Sequence, residues 1–153
     1  MGCSFLGHSG RGFRVAVGYY LQKARLVALV HSVAVPVELT VFAVILLNEF
    51  PDYAADLATG KRNLVVRPGP RRASILYALV SMGSWIAVLL SVCHGVPARV
   101  LWFYLPVLVL SMALVVMVLS DRWQDRFVLE RLCGANLAVN LGTTAALVLA
   151  FVV

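Results

Sequence analysis

The stretch that decides the fold is LVALVHSVAVPVELTVFAVILL, residues 26–47, in which only His31 and Glu38 are ionisable. Crossing the apolar core of a bilayer takes about 20 residues of α-helix. With 61% hydrophobic and 13% charged residues and a mean hydropathy of +0.91, the chain has more apolar surface than 153 residues can bury in a globule. Three further apolar runs are also long enough to span: 74–93, 99–119 and 134–153. The sequence therefore predicts an all-α integral membrane protein with about four transmembrane helices.

The charged segments between these runs alternate, so that the loops 48–73 and 120–133 lie on one side of the membrane. That side carries eight cations, and the other side carries five. The positive-inside rule then predicts that loop 48–73 is cytoplasmic. The net charge of +6 comes mainly from the ends of apolar runs, so we expect a lipid bilayer and no nucleic acid as partner. The eight cations are Lys61, Arg62, Arg67, Arg71, Arg72, Arg122, Arg126 and Arg131.

Residues 1–24 precede this helical membrane domain, which takes up residues 25–153. They contain the apolar patch FRVAVGYYL, residues 13–21, which is too short to span a bilayer. We expect either an interfacial helix or the remnant of a preceding helix with its loop.

Polar residues inside the spans predict helix packing and a possible polar stripe that leads to the charged loop. Asn136 and Asn140 lie one helical turn apart and are expected to hydrogen-bond to neighbouring helices, while Ala138 and Gly142 favour close helix approach. If the first helix continued to Asp52, then His31, Glu38, Glu49 and Asp52 would form one polar stripe. The alternative is that His31 and Glu38 pair with each other or with a neighbouring helix, since Pro51 can end the helix.

Loop 48–73 contains the residues whose spacing best indicates ligand binding. Asp52 and Asp56 are spaced i,i+4, which on a helix sets both carboxylates on one face, where their repulsion favours a bound cation. Mg²⁺ suits such a pair, because it takes one or two carboxylates together with waters and substrate phosphates. The following turn, Gly60-Lys61-Arg62, offers two cations for phosphate oxygens. The alternative is a solvated loop without a ligand.

A second D-x-x-x-D spacing, Asp121 and Asp125, shows that this spacing alone is weak evidence. Arg122 and Arg126 are interleaved with the two acids, and no Gly-Lys-Arg follows. We therefore interpret this segment as a salt-bridged surface loop.

The string NEFPDYAADLATGKRNLVVR, residues 48–67, resembles the second aspartate-rich motif of the UbiA superfamily of intramembrane prenyltransferases, in particular the dihydroxynaphthoate prenyltransferase branch. That motif runs from an Asn-Glu helix end through D-x-x-x-D to G-K-R-[TN]-L-x-V-R. The preceding GYYLQKARL, residues 18–26, is also similar to the family's stretch between its fifth and sixth helices. The matching positions are Asn48, Glu49, Asp52, Asp56, Gly60, Lys61, Arg62, Asn63, Leu64, Val66 and Arg67.

The resemblance implies a nine-helix bundle that transfers an isoprenyl group from a prenyl diphosphate to an aromatic acceptor such as a dihydroxynaphthoate, in menaquinone biosynthesis. It implies a bacterial or archaeal cell membrane and Mg²⁺ as cofactor. Its site residues would be metal ligands and diphosphate-binding groups, of which Asp52, Asp56, Lys61 and Arg62 would be catalytic. The implied metal ligands are Asp52, Asp56 and Glu49, and the implied diphosphate contacts are Lys61, Arg62, Arg67 and Asn48.

The chain departs from the family pattern in two ways. Its 153 residues contain no N-D-x-x-D-x-x-x-D, the other aspartate-rich motif that such an enzyme needs. The chain therefore resembles the C-terminal half of the enzyme, inactive alone and expected to need a missing N-terminal half or self-association. Pro68 stands where the family has an apolar residue, and with Pro70 it predicts a helix break that reshapes the approach to the Gly-Lys-Arg turn.

Two other functions remain open from the sequence. One is a non-catalytic small membrane protein or interaction module that retains the motif without the chemistry. The other is a transporter or channel fragment that uses His31 and Glu38 as a proton or cation path.

Overall fold

The computed structural model describes residues 28–152, which form helices and loops without a strand. Four of the helices are long and apolar enough to cross a membrane, so the chain is an all-α membrane protein. The expectations for residues 1–24 and for GYYLQKARL fall outside the described residues. The helices are α1 (Ala28–Asn48), α2 (Tyr53–Ala58), α3 (Pro70–Cys93), α4 (Val100–Leu119) and α5 (Arg126–Val152), with a short 3-10 turn at Arg122–Gln124.

Two of the spanning helices begin earlier than the apolar runs predict, because their first turns contain proline or arginine residues that a hydropathy pattern excludes. Helix α3 begins at Pro70 instead of residue 74, since proline is well suited to a first helical turn, where its missing N–H is not needed. Helix α5 begins at Arg126 instead of residue 134. The Asp125 Oδ1 atom accepts hydrogen bonds from Phe127 N at 2.9 Å and Val128 N at 3.4 Å, which caps the helix.

The four long helices pack as a bundle in which α1 contacts α3 and α5, and α4 contacts the same two helices. At one end, the Phe50 and Trp123 rings lie with their centroids 5.4 Å apart. This contact joins the loop after α1 to the loop before α5, so the prediction that the two charged loops share a side is confirmed. At the opposite end, Arg99 Nε donates to Ala150 O at 2.9 Å and ties the start of α4 to the end of α5.

Polar groups inside the bundle join the helices, as the sequence predicts. Tyr77 Oη donates to Asn136 Oδ1 at 3.1 Å, and Asn140 Nδ2 donates to Thr40 Oγ1 at 2.8 Å. The predicted hydrogen bonds of both asparagines to neighbouring helices are therefore confirmed. Such bonds hold helices together in lipid, where the hydrophobic effect does not act between them.

Close helix approach is also confirmed at one of the two small residues. A Cβ atom added at Gly142 would lie 2.8 Å from Val107 Cγ2, closer than side chains tolerate, so α4 and α5 meet at that glycine. Ala138, in contrast, is exposed on the bundle surface.

Candidate functional site

The first helix ends before the acidic motif, so the continuous polar stripe from His31 to Asp52 is wrong. Helix α1 stops at Asn48, and the chain turns through Glu49 and Phe50, whose backbone N–H groups bond to Leu46 and Leu47 carbonyls at 3.3 and 3.2 Å. Proline at position 51 has no N–H to continue the helical ladder, which explains the ending. His31 and Glu38 lie on one face of α1, and this turn separates them from the motif loop.

Glu49 closes the motif loop onto the end of α1. Its Oε2 atom accepts a hydrogen bond from Leu64 N at 2.8 Å, across 15 residues of chain. The next residue, Val65, is 0% exposed and packs into the apolar cluster with Leu46 and Leu47. The carboxylate and the buried valine together fix the far end of the loop against the bundle. This leaves that oxygen of Glu49, an expected metal ligand, bound to the loop's own backbone.

Asn63 organises the centre of the loop. Its Nδ2 atom donates to Asp56 Oδ2 at 2.8 Å, and its Oδ1 atom accepts from Val65 N at 3.0 Å and Val66 N at 2.6 Å. An asparagine that bonds the backbone two residues further on forms an Asx turn, which is a known reason for asparagine in loops. Sequence reasoning placed Asn63 in the motif but gave it no role. The signal was available, since an Asn after a Gly-containing turn favours this geometry.

Asp56 is held by the loop from both sides. Lys61 Nζ lies 3.1 Å from Asp56 Oδ1, while Lys61 N donates to the Asp56 carbonyl at 2.9 Å. Gly60 lies between Asp56 and Lys61 with a φ of 70°, a conformation that glycine adopts without strain and that other residues rarely take. The Asp56 side chain is 13% exposed and that of Lys61 is 72% exposed. The motif glycine therefore lets the chain reverse so that this lysine neutralises this aspartate.

Other motif residues are left without partners. The exposed Asp52 carboxylate, at the start of α2, makes no hydrogen bond or ion pair with any described residue. The same holds in residues 28–152 for the exposed guanidinium groups of Arg62 and Arg67. These two arginines and Val66 line an open depression of about 550 Å³. Asn48, the last residue of α1, is exposed beside the loop.

The expected magnesium ligands do not converge as a set of three. Among residues 28–152, no group of three or more His, Cys, Asp or Glu side chains could hold a metal ion. Since Glu49 is bonded to Leu64 N, the available carboxylates are Asp52, which is free, and Asp56, which carries Lys61. Both oxygens of Asp56 have partners, Lys61 and Asn63. The two carboxylates would therefore hold an ion such as Mg²⁺ only if these contacts opened and if water and phosphate supplied the remaining ligands.

The acids of the second D-x-x-x-D spacing make local hydrogen bonds, and the salt bridges expected for them are wrong. Asp121 Oδ1 accepts from Trp123 Nε1 at 3.2 Å, while Asp125 caps α5. Arg126 Nε lies 3.4 Å from Glu130 Oε1, one turn along its own helix, instead of pairing with an aspartate of the loop. Asp121 is thus bonded to an indole N–H and Asp125 to the first amides of α5, and neither belongs to a metal-holding group among residues 28–152.

The described geometry therefore divides the predicted site residues into two groups. Glu49, Asp56 and Lys61 are bonded within the loop, whereas Asp52, Arg62 and Arg67 have no partner among residues 28–152. Of these last three, the two arginines line the open depression and Asp52 does not. In comparisons with known proteins, no protein-family model, curated protein or solved structure matches the chain.

Proposed function

We propose that the chain binds a prenyl diphosphate at loop 48–73 and forms one half-site of a UbiA-type prenyltransferase that modifies an aromatic acceptor. One observation carries this proposal: Arg62 and Arg67 line an open depression without an acidic partner among residues 28–152. Guanidinium groups bind phosphate oxygens through paired hydrogen bonds, so two free arginines at one depression favour a phosphate-bearing ligand. A ligand with an apolar tail is favoured because this depression lies at one end of four membrane-crossing helices.

Each charged residue has a distinct part in the proposed site. Arg62 and Arg67 bind the diphosphate, and Asp52 with Asp56 holds a magnesium ion. The ion, when bound, neutralises charge on the leaving diphosphate. Lys61 can turn from Asp56 towards the diphosphate, because a salt bridge with such an exposed lysine is worth about 1 kcal/mol or less. Glu49 and Asn63 act as positioning residues that keep the loop in shape.

The proposed site needs a second part. The prenyltransferases that this chain resembles use two aspartate-rich motifs to ionise the diphosphate. This sequence contains one such motif. We therefore expect the chain alone to bind a prenyl diphosphate without transferring the prenyl group. The eight cations at the loop end favour a cytoplasmic location for the site.

The test is equilibrium binding of geranylgeranyl diphosphate to the full chain in nanodiscs of phosphatidylcholine, with and without Mg²⁺. We expect binding that magnesium strengthens, and a loss of about tenfold or more in R62Q/R67Q, since two charge-assisted contacts are removed. The matched control is R122Q/R126Q, which removes two arginines from the same end of the bundle but not from the depression. Equal weakening in the control would mean that general positive charge, not this site, attracts the ligand.

A second candidate is a non-catalytic membrane protein that retains the motif as a structural loop. It is favoured by the internal bonds of Glu49 and Asp56, which satisfy the two carboxylates without any ligand. Asp52→Asn separates the candidates in the same assay. The half-site predicts that D52N loses the effect of magnesium on binding, while a structural loop predicts no effect of magnesium in either protein.

A further inference from the structure

A second open depression lies where α3 begins, beside the one lined by Arg62 and Arg67. Its volume is about 540 Å³. Since α3 is one of the four membrane-crossing helices, its first turn lies at the boundary between the motif loop and the span. The lining residues are Pro68, Gly69, Pro70, Arg71, Arg72 and Ile75.

The polar part of this depression is uniformly positive. Arg71 and Arg72 are exposed, and neither forms a hydrogen bond or ion pair within the described part of the chain. Of the three acids of the motif loop, Glu49 is bonded to Leu64 N and Asp56 to Lys61, and Asp52 forms no ion pair with either arginine. The two guanidinium groups therefore present charge that the described protein does not neutralise.

The apolar part continues from the depression along one face of α3. Ile75, Leu79, Met82 and Ile86 follow Arg71 at steps of four, four, three and four residues, which places all five on one side of a helix. Their side chains are exposed, by 50%, 60%, 47% and 53% respectively. A pair of cations thus stands at the head of an apolar strip long enough to accompany an acyl chain into the bilayer.

We propose that this surface binds an anionic glycerophospholipid, with its phosphate on Arg71 and Arg72 and an acyl chain along Ile75, Leu79 and Met82. Charge complementarity selects an anionic headgroup, because a zwitterionic lipid brings its own cation to the arginine pair. The apolar strip selects a lipid over a free phosphate ion. This site uses none of the residues that bind the prenyl diphosphate in the proposed function, so either proposal can fail without the other.

The experiment measures binding of a fluorescent phosphatidylglycerol to the full chain in neutral detergent micelles, with a fluorescent phosphatidylcholine of the same chains as reference. We expect tighter binding of phosphatidylglycerol to the native sequence, and a loss of about 30-fold in R71Q/R72Q, as each arginine near an anionic surface contributes roughly fivefold. Both arginines are exposed surface residues, so the variant should fold, which circular dichroism and gel filtration verify. The matched control R122Q/R126Q should change the affinity by less than about twofold.

Five results would overturn the proposal. Unchanged binding by R71Q/R72Q, or equal loss in the control, would mean that no defined site exists at the start of α3. Equal affinity for the two lipids would remove the role of headgroup charge. Displacement of phosphatidylglycerol by an equimolar amount of geranylgeranyl diphosphate would mean that the arginine pair belongs to the prenyl diphosphate site. Inorganic phosphate at the same concentration should displace nothing, and displacement by it would exclude the acyl strip as part of the site.

Discussion

Replacing Gly142 with alanine tests the bundle at its closest helix contact. The added methyl group would lie 2.8 Å from Val107 Cγ2 and 3.6 Å from Val107 Cγ1, so either the valine or the helix must shift. Gly134, also in α5, is the matched control, because an added Cβ there meets nothing within 4 Å. Both substitutions gain the same intrinsic helix preference of alanine over glycine, so their difference isolates the overpacking cost. Overpacking of this kind costs about 1 to 3 kcal/mol.

We therefore expect G142A to unfold at a lower denaturing-detergent fraction than G134A, by a difference of about 1 to 3 kcal/mol. The assay is reversible unfolding of the full chain in mixed micelles, followed by circular dichroism. The variant V107A/G142A removes both Val107 methyl groups, including the Cγ2 group that clashes, and should recover part of the loss beyond the sum of the single effects. If G142A were as stable as G134A, then α4 and α5 would not meet at this glycine, and the packing described for the bundle would be refuted.

Two further substitutions test the polar contacts. Tyr77→Phe removes the hydroxyl that bonds to Asn136 and should lower the unfolding free energy in micelles by about 0.6 to 1.7 kcal/mol. The double variant Y77F/N136L should be no less stable than Y77F, because it also removes the buried Asn136 acceptor that Y77F leaves unpaired. Asn63→Ala removes three hydrogen bonds of the motif loop, each worth about 1 kcal/mol, and should raise hydrogen exchange at the Val65 and Val66 amides while helix amides stay protected. Uniform protection in N63A would contradict the organising role of this asparagine.

The sequence predicts the number and position of the spans because bilayer crossing imposes one strong requirement, a long apolar run. It predicts the starts of α3 and α5 poorly for the same reason, since the first turns of both helices are basic. What begins them is local chemistry, the proline at position 70 and the cap from Asp125, which a hydropathy pattern does not contain. The asparagine bonds between helices were predictable, because a polar amide inside a span has few places to find a partner other than a neighbouring helix.

The candidate site was predictable in its members and not in their pairing. The spacing of Asp52 and Asp56 places both at one short helix, but it does not show that Lys61 folds back onto only one of them. That choice depends on Gly60, whose positive φ reverses the chain, and on Asn63, which holds the opposite oxygen of the same carboxylate. Contacts among three side chains, such as those of Asp56, Lys61 and Asn63, depend on the three-dimensional path of the loop. The spacing of residues along the sequence does not determine that path.

The division of charge within the loop argues for an anionic ligand more strongly than its composition does. A loop that served only to mark membrane orientation could satisfy its cations with its own acids, and this loop has Glu49, Asp52 and Asp56 available. Instead, Glu49 is bonded to a backbone amide and Asp56 is shared between Asn63 and Lys61, so neither compensates the arginines. Glu49 and Asp56 thus give the loop its shape, whereas the Asp52 carboxylate and the guanidinium groups of Arg62 and Arg67 have no partner among residues 28–152. Because neither bonded acid compensates the two arginines, this arrangement supports the proposal that the loop binds an anionic ligand.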